Sequence, residues 1–363
     1  MKIRIERDAF AEASSWVLRS VGTRATLPVL GGVLVVAEQD GIRLAGTDLE
    51  VGAEAKVEGA IDAKGRAVLP GRVLGEIART LPPGTVRLEA EGGQARITCG
   101  SAEFTLRTLP TEDFPALAGP ADAPGGIVPA NEFALAVSQV TKAASRDEAR
   151  PILTGVLIES EAGKTTFAAT DSYRLAIREI AWKGPKESLK RVVPARALTE
   201  AARAAEGEGD VSLSLGETQV SVQGNDRRLT TRLIEGEFPN WRQLLPEDQP
   251  NHLTVDREAF LEAVRRVGIL AQQGTPLRLE LGPSGVRLTA GTQDVGEAAD
   301  LVEGKYEGEP LVIAFNPTYL SDGVQAIEGS EVVLSCRDGL KPAVLRSPDG
   351  GSFLYLLMPV RIS

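Results

Sequence analysis

Apolar residues recur along this chain with two periods, and the switch from one to the other marks out its elements. Three segments repeat one set of core-type positions at i, i+3, i+4, i+7 and i+11. They are Phe10, Ala13, Ser14, Val17 and Val21; Phe133, Ala136, Val137, Val140 and Ala144; and Phe260, Ala263, Val264, Val267 and Ala271. That spacing places each set on one helix face, so helices are predicted to begin near Asp8, Asn131 and Asp256. β-rich runs follow each helix, at 27–36 and 42–48, at 150–159 and 166–171, and at 275–281 and 286–294. A second helix is predicted over 70–81, 194–205 and 317–327, with proline at or beside the position where a missing N–H costs least. Strand pairs then close each unit: 86–90 with 95–98, 211–215 with 218–222, and 331–335 with 342–346.

The order β-α-β-β-β-α-β-β-β therefore occurs three times, with Phe10, Phe133 and Phe260 roughly 125 residues apart. A unit of that size buries a core of its own, which makes it a domain and not a solenoid repeat. The predicted fold class is α+β, with three repeated domains over 1–120, 127–246 and 252–363, each carrying two helices packed on antiparallel sheets. Linkers rich in proline and polar residues fall at 119–126 and 245–251.

Composition narrows the function. The formal net charge of −10 excludes a protein coated in basic surface, so any contact with nucleic acid must be local. The basic residues are nevertheless ordered. On the second helix of the first unit, Val73, Leu74, Ile77, Ala78 and Leu81 define the buried stripe, and Arg72 and Arg79 lie roughly 180° from its centre. Arg196 and Arg203 repeat this in the second unit, whereas Thr318 and Gln325 replace them in the third. On the first helices Arg19 and Lys142 hold equivalent positions, and Arg265 and Arg266 flank that direction in the third unit. Two readings fit: ordinary solvated helix faces, which Glu12 and Glu262 favour, or one basic surface that tracks phosphates without reading sequence.

Catalytic chemistry has little to stand on. The single histidine, His252, reads as a solvated linker residue, which rules out a His-rich metal site and leaves almost no room for a Ser-His-Asp triad. Gly163-Lys164-Thr165 resembles the end of a phosphate loop, but Ile158 stands where that loop needs glycine and strands flank it, so it reads as a hairpin turn. Neither GxSxG nor GxGxxG occurs. Cys99 and Cys336 are far apart in strand-like settings, with no disulfide framework or metal site in view. No apolar run is long enough to cross a bilayer, so a cytoplasmic location is expected, without a cofactor.

Seven segments carry a family resemblance in order: TLPVLGGVL at 26–34, GTDLE at 46–50, RPILTGVLIE at 150–159, ATDSYRLA at 169–176, EGEFPNWRQLLP at 235–246, FNPTYL at 315–320 and YLLMPVR at 355–361. Together they resemble the β subunit of bacterial DNA polymerase III, the sliding clamp, over essentially the whole chain. The resemblance implies the DNA clamp fold and a head-to-tail homodimeric ring, with helices lining the hole and sheets outside. It implies a non-catalytic processivity factor that encircles duplex DNA. It also implies a peptide-binding cleft between domains two and three that serves replicative and repair polymerases and the clamp loader through short peptide motifs.

Carried over by motif, the walls of that cleft are Leu153, Thr170, Ser172, Tyr173, Arg174, Leu175, Pro239, Gln243, Leu244, Pro342, Leu356, Leu357, Met358, Pro359 and Arg361. A mostly apolar groove with a few orienting polar groups suits such a ligand. From the residues alone, Leu175, Leu244 and Leu357 read equally as core. Ser172-Tyr173 departs from the Gly-His of many relatives, and Pro151 and Ile152 stand where some members are aromatic. The resemblance turns the ordered basic residues toward DNA and adds Arg24, Arg146 and Arg150 to them. For the ring interface it points to Phe104 and Leu106 of one subunit against Ile269 and Leu270 of the other; Phe104 and Leu106 share a strand face, as an edge or an internal core strand equally requires. Two rivals stand beside this reading: a nucleotide-dependent enzyme using the GKT turn, and a ring or scaffold protein with no role at DNA.

Overall fold

The computed structural model describes residues 1–22, 27–116, 125–161, 163–205, 207, 209–271, 275–292 and 295–361. Six α-helices are present among the described residues: α1 (Arg7–Val17), α2 (Gly71–Thr80), α3 (Ala130–Val140), α4 (Ala195–Ala204), α5 (Arg257–Gly268) and α6 (Pro317–Ala326). Their spacing is the predicted one, and Phe10, Phe133 and Phe260 are each fully buried. A phenylalanine taken wholly out of water contributes on the order of 2–3 kcal/mol, so the repeated stripe supplies much of what holds each helix to its sheet. Asp256 caps α5 by accepting from the amide of Ala259 at 2.8 Å, and Asn316 caps α6 in the same way from Thr318 at 2.9 Å.

The chain folds into two compact units. The first comprises Met1–Ala134, Lys183–Pro185 and Arg196–Leu233. It holds a five-stranded antiparallel sheet in the order Gly59–Ala63, Lys2–Glu6, Thr85–Glu91, Gln94–Cys99, Ala102–Arg107. Its second sheet has eight strands: Gly125–Pro129, Asp210–Leu215, Gln219–Gly224, Arg227–Arg232, Val51–Val57, Gly41–Thr47, Gly32–Glu38 and Gly65–Pro70. α1 lies against it, with Trp16 buried and its indole N–H donating to the carbonyl of Glu54 at 3.1 Å.

The second unit comprises Leu135–Trp182, Lys186–Ala195 and Ile234–Ser363. Its strands form one twelve-membered run in the order Leu189–Pro194, Gly155–Glu161, Lys164–Thr170, Arg174–Ala181, Phe353–Leu357, Ala343–Arg346, Glu331–Cys336, Asn251–Asp256, Gly296–Glu307, Gly285–Thr292, Leu277–Gly282, Leu311–Phe315. Strand Gly296–Glu307 is shared, pairing over 304–307 with Asn251–Asp256 and over 296–303 with Gly285–Thr292.

Each unit contains one place where strands from neighbouring sequence repeats pair. In the first, Thr231, Thr230, Leu229, Arg228 and Arg227 lie opposite Val51, Gly52, Ala53, Glu54 and Ala55. In the second, Leu357, Leu356, Tyr355, Leu354 and Phe353 lie opposite Arg174, Leu175, Ala176, Ile177 and Arg178. These pairings carry the sheets across the repeat boundaries, which is why strands of the middle repeat belong to both units.

Several expectations need correction. Between the two helices of each repeat runs a strand absent from the predicted order: Gly65–Pro70, Leu189–Pro194 and Leu311–Phe315. The first repeat has yet another, Gly59–Ala63. The runs at 27–36 and 150–159 are not strand throughout, because Pro28–Gly31 and Pro151–Thr154 form 3₁₀ turns before the strands begin at Gly32 and Gly155; proline at the first position of each removes the amide a strand would use. The i+11 positions Val21, Ala144 and Ala271 lie beyond the helix ends and are only half-buried. His252 is no loop residue: it sits in strand Asn251–Asp256 with Nδ1 2.8 Å from the Ser335 hydroxyl. Gly163 lies in the turn between two paired strands, Gly155–Glu161 and Lys164–Thr170, and Lys164 and Thr165 begin the second of them. Cys99 and Cys336 are buried free thiols, and burial pushes Cys336 up to about 11.

Candidate functional site

The turn from Thr170 to Arg174 organises the second unit's junction. Ser172 adopts a left-handed backbone conformation at φ 79°, uncommon for any residue but glycine. Local bonds hold it there. The Thr170 hydroxyl accepts from the Ser172 amide at 3.1 Å and donates to the Arg174 carbonyl at 2.7 Å. Asp171 Oδ1 accepts from the amides of Tyr173 and Arg174 at 2.9 and 3.0 Å. The result fixes two side chains in opposite senses: Tyr173 is 60% exposed, and Arg174 is buried.

Arg174 is the centre of a buried network. Its Nε donates to Asp171 Oδ2 at 3.0 Å, and Nη1 donates to Asp322 Oδ2 at 2.6 Å and to the Tyr355 hydroxyl at 3.2 Å. The guanidinium also lies 4.2 Å from the ring centre of Tyr319. Burial works against the charge, but Tyr355, Asp322 and Asp171 together hold the Arg174 pKa above the ordinary arginine value. Burial likewise pushes the Tyr355 hydroxyl well above its usual range. Tyr355 donates in turn to the carbonyl of Tyr319 at 3.0 Å.

Beside this network lies an apolar floor. Leu175 pairs opposite Leu356 and Ile177 opposite Leu354, and they cluster with Leu157, Ala168, Val192 and Trp241. Ile152, Ile234, Phe238 and Leu245 pack on the cluster. Glu159 anchors the chain that crosses it, held by Lys190 at 2.7 Å and Arg242 at 2.8 Å while Arg242 stacks on Trp241. Of the predicted walls, Leu153, Thr170, Arg174, Leu175, Leu356 and Leu357 are buried and Pro342 and Pro359 half-buried. Ser172, Pro239, Gln243 and Arg361 are exposed, with Leu244 and Met358 exposed by 45% and 39%. The Met358 amide donates to the Tyr173 carbonyl at 2.9 Å, and the Tyr173 ring stacks on Tyr319 with centres 6.5 Å apart. Exposed Tyr173, Leu244 and Met358 and the buried leucines thus belong to one compact unit.

The basic residues differ in how free they are. In the first unit Arg72 is 93% exposed, 3.4 Å from Glu76, and Arg79 donates to the Gly75 carbonyl at 3.1 Å. Arg19 and Arg203 both reach Glu200, at 3.4 and 2.7 Å, and Arg196 approaches Asp48 at 3.8 Å. In the second unit Lys142 donates to Gln325 at 2.8 Å, Arg150 pairs with Asp147 at 2.9 Å, and Arg146 and Arg265 are exposed. Arg266 is tied to Asp300 at 2.8 Å and Glu262 at 3.2 Å, and its pKa is raised chiefly by the bond to Asp300. Arg24 lies outside the described residues. Phe104 and Leu106 share the half-buried face of Ala102–Arg107, the last strand of the five-stranded sheet. Ile269, just past α5, is 76% exposed, and Leu270 is half-buried.

Family models for the N-terminal, central and C-terminal domains of the DNA polymerase III beta subunit match residues 1–118, 127–240 and 242–361 in tandem. The chain belongs to this sliding-clamp family. It is 41% identical to the beta sliding clamp of Streptomyces coelicolor, with all of both chains covered. The Bacillus subtilis clamp structure superposes with a TM-score of 0.94 at 30% identity, covering 100% of each chain. A Pseudomonas aeruginosa clamp solved bound to griselimycin gives 0.95 at 29% identity, again over 100% of each. The clamp fold shown by these matches is the predicted one: three clamp domains built of helices and antiparallel sheets.

Sequence reasoning missed part of this clamp's junction network. Asp171, Tyr319, Asp322 and Tyr355 hold Arg174, yet none stood among the predicted cleft residues. Three of them, Asp171, Tyr319 and Tyr355, lie inside segments that carried the resemblance, so the signal was present at the level of the segment and not of the contact. Asp322 is two residues beyond FNPTYL on α6 and carried no signal of its own.

Proposed function

We propose that this clamp closes head to tail as a homodimer around duplex DNA and holds polymerases and the clamp loader by short peptides. In this reading the domains span 1–120, 127–246 and 252–363. The observation that carries it is the tandem match of three clamp domains across residues 1–361. The peptide cleft is assigned to the surface formed by Leu153, Thr170, Ser172, Tyr173, Arg174, Leu175, Pro239, Gln243, Leu244, Pro342, Leu356, Leu357, Met358, Pro359 and Arg361. Exposed Tyr173, Leu244 and Met358 in one compact unit with the buried leucines support that placement, since apolar side chains grouped at a surface mark interaction sites. The griselimycin-bound clamp of Pseudomonas aeruginosa supports a ligand site in the family.

Phosphate contacts are assigned to Arg19, Arg24, Arg72, Arg79, Lys142, Arg146, Arg150, Arg196, Arg203, Arg265 and Arg266, with Arg266 the weakest because two carboxylates already hold it. Phe104 and Leu106 on an outer strand, against Ile269 and Leu270, form the subunit contact, which must close or polymerise. The clamp acts in the cytoplasm by topology and has no catalytic step.

Loading onto nicked circular DNA tests the reading. Retention at salt that abolishes phosphate contacts, followed by release when the circle is cut, is the expected result; retention that falls steeply with salt and ignores DNA ends contradicts it. At the interface, Leu270→Asp is expected to give monomers by sedimentation.

A further inference from the structure

The two junctions share one backbone design. In the first unit the Thr47 hydroxyl accepts from the Leu49 amide at 3.0 Å and donates to the Val51 carbonyl at 2.9 Å, and Asp48 Oδ1 accepts from Glu50 and Val51 at 3.0 and 2.8 Å. Leu49 has φ 79°, as Ser172 does. The Arg232 amide donates to the Glu50 carbonyl at 3.1 Å, in the place of the bond from Met358 to Tyr173. Strand register then aligns Gly52 with Leu175, Thr230 with Leu356, Glu54 with Ile177 and Arg228 with Leu354.

At the first junction the four paired-strand residues of the apolar floor are therefore replaced, while Leu34, Val68, Leu109 and Phe114 still cluster beside it. A hollow of about 240 Å³ remains there, lined by Gly52, Glu54, Arg228 and Thr230 and bounded by Pro115. Small side chains at Gly52 and Thr230 keep it open, and shape does not close it. Its polarity does: Glu54 and Arg228 are ion-paired to each other in the floor. An apolar peptide side chain covering that pair would strip water from both charges and return no hydrogen bond.

We propose that Gly52, Glu54, Arg228 and Thr230 determine specificity by exclusion, keeping apolar partner peptides out of the first junction so that each chain captures one peptide, at the second. This rests on the cleft assignment above. The four-residue variant G52L/E54I/R228L/T230L gives the first junction the floor of the second, and the pair variant E54I/R228L removes only the charges at unchanged register. The probe is a fluorescein-labelled six-residue peptide carrying one glutamine and a leucine–phenylalanine pair. Stoichiometry is read by fluorescence anisotropy, and position by hydrogen-exchange protection of 51–57 and 227–232.

The unaltered clamp is expected to bind one peptide per chain, with protection confined to 174–178 and 353–357. The four-residue variant is expected to bind two, with new protection at the first junction. The pair variant is expected to show the same new protection at least tenfold more tightly than the unaltered junction, and it decides the matter if the four-residue variant does not fold. One peptide per chain in a folded variant, with the second junction still occupied, overturns this proposal alone. No binding to the unaltered clamp, or binding away from the second junction, overturns the cleft assignment and this proposal with it.

Discussion

The turn at Thr47–Val51 and the turn at Thr170–Arg174 differ in what they bury. The bonds from their threonine and aspartate side chains to the main chain correspond, yet Val51 occupies the place of a guanidinium that gathers Asp171, Asp322, Tyr355 and Tyr319. The first junction keeps its charge in the outward pair Glu54–Arg228 and turns apolar residues inward. The second reverses this, with charge at Arg174 and an apolar floor at Leu175, Ile177, Leu354 and Leu356 in the places of Gly52, Glu54, Arg228 and Thr230. The comparison teaches that an apolar floor beneath a binding surface needs a rigid support that a purely apolar interior does not specify as strictly, and a buried cation bonded to several partners is one such support.

The largest expected effect comes from breaking that support. Arg174→Met leaves Asp171, Asp322 and the Tyr355 hydroxyl without their donor, and removing one partner of a buried ion pair costs about 3–5 kcal/mol. Val51→Ala at the matching place should cost only about 1–3 kcal/mol. Hydrogen exchange of 353–357 against 227–232 separates the two, and equal losses in both would show that the buried arginine is an ordinary core element.

Leu175→Ala comes next. It removes a fully buried side chain from the floor, for which about 2–4 kcal/mol is expected, together with loss of peptide binding. Unaltered peptide affinity in a folded Leu175→Ala chain would move the cleft elsewhere. A smaller effect is expected from Tyr355→Phe, which deletes a hydroxyl bonded to both Arg174 and the Tyr319 carbonyl and should cost about 1–2 kcal/mol in urea unfolding.

The smallest effect concerns pH. Burial raises the Glu159 carboxyl, but the bonds from Lys190 and Arg242 outweigh it and leave the pKa below the usual 4.5. A depressed folded pKa gives stability that is complete above the ordinary value and is lost as pH falls through the folded one. Glu159→Gln is therefore expected to cost about 1 kcal/mol near neutrality and progressively less as the solution is acidified below 4.5, read as hydrogen exchange of 155–161. The first unit should lack this dependence at Val36, which lies four residues along its strand from Gly32 as Glu159 does from Gly155. A pH profile unchanged by the substitution would remove Glu159 from the account.

What was legible in the sequence follows from the kind of constraint. Helix stripes were read correctly because Phe10, Ala13, Ser14 and Val17, like their later copies, satisfy a short-range periodicity that burial enforces. Strands such as Leu189–Pro194 were not, since LKRVVP is too short and too mixed in polarity to show alternation. The 3₁₀ turns at Pro28 and Pro151 hid inside apolar runs where periodicity alone does not distinguish turn from strand. At the site, residues carried by a continuous segment were placed together, whereas Asp322 and Tyr355 reach Arg174 from stretches far from it in sequence. Nothing local in Asp322 announces that its carboxylate will meet a residue 148 positions away.

The shared turn also sets terms for medicinal chemistry. A small molecule that recognised only main-chain groups, such as the second lone pairs of the Glu50 and Tyr173 carbonyls, would meet nearly the same pattern twice in every chain. Its dose would be divided between the proposed peptide cleft and the matching turn of the first unit. Selectivity has to be drawn from side chains, and the pairs that differ most are Gly52 with Leu175 and Glu54 with Ile177, so an inhibitor scaffold gains discrimination by growing toward the strand and loses it by hugging the turn.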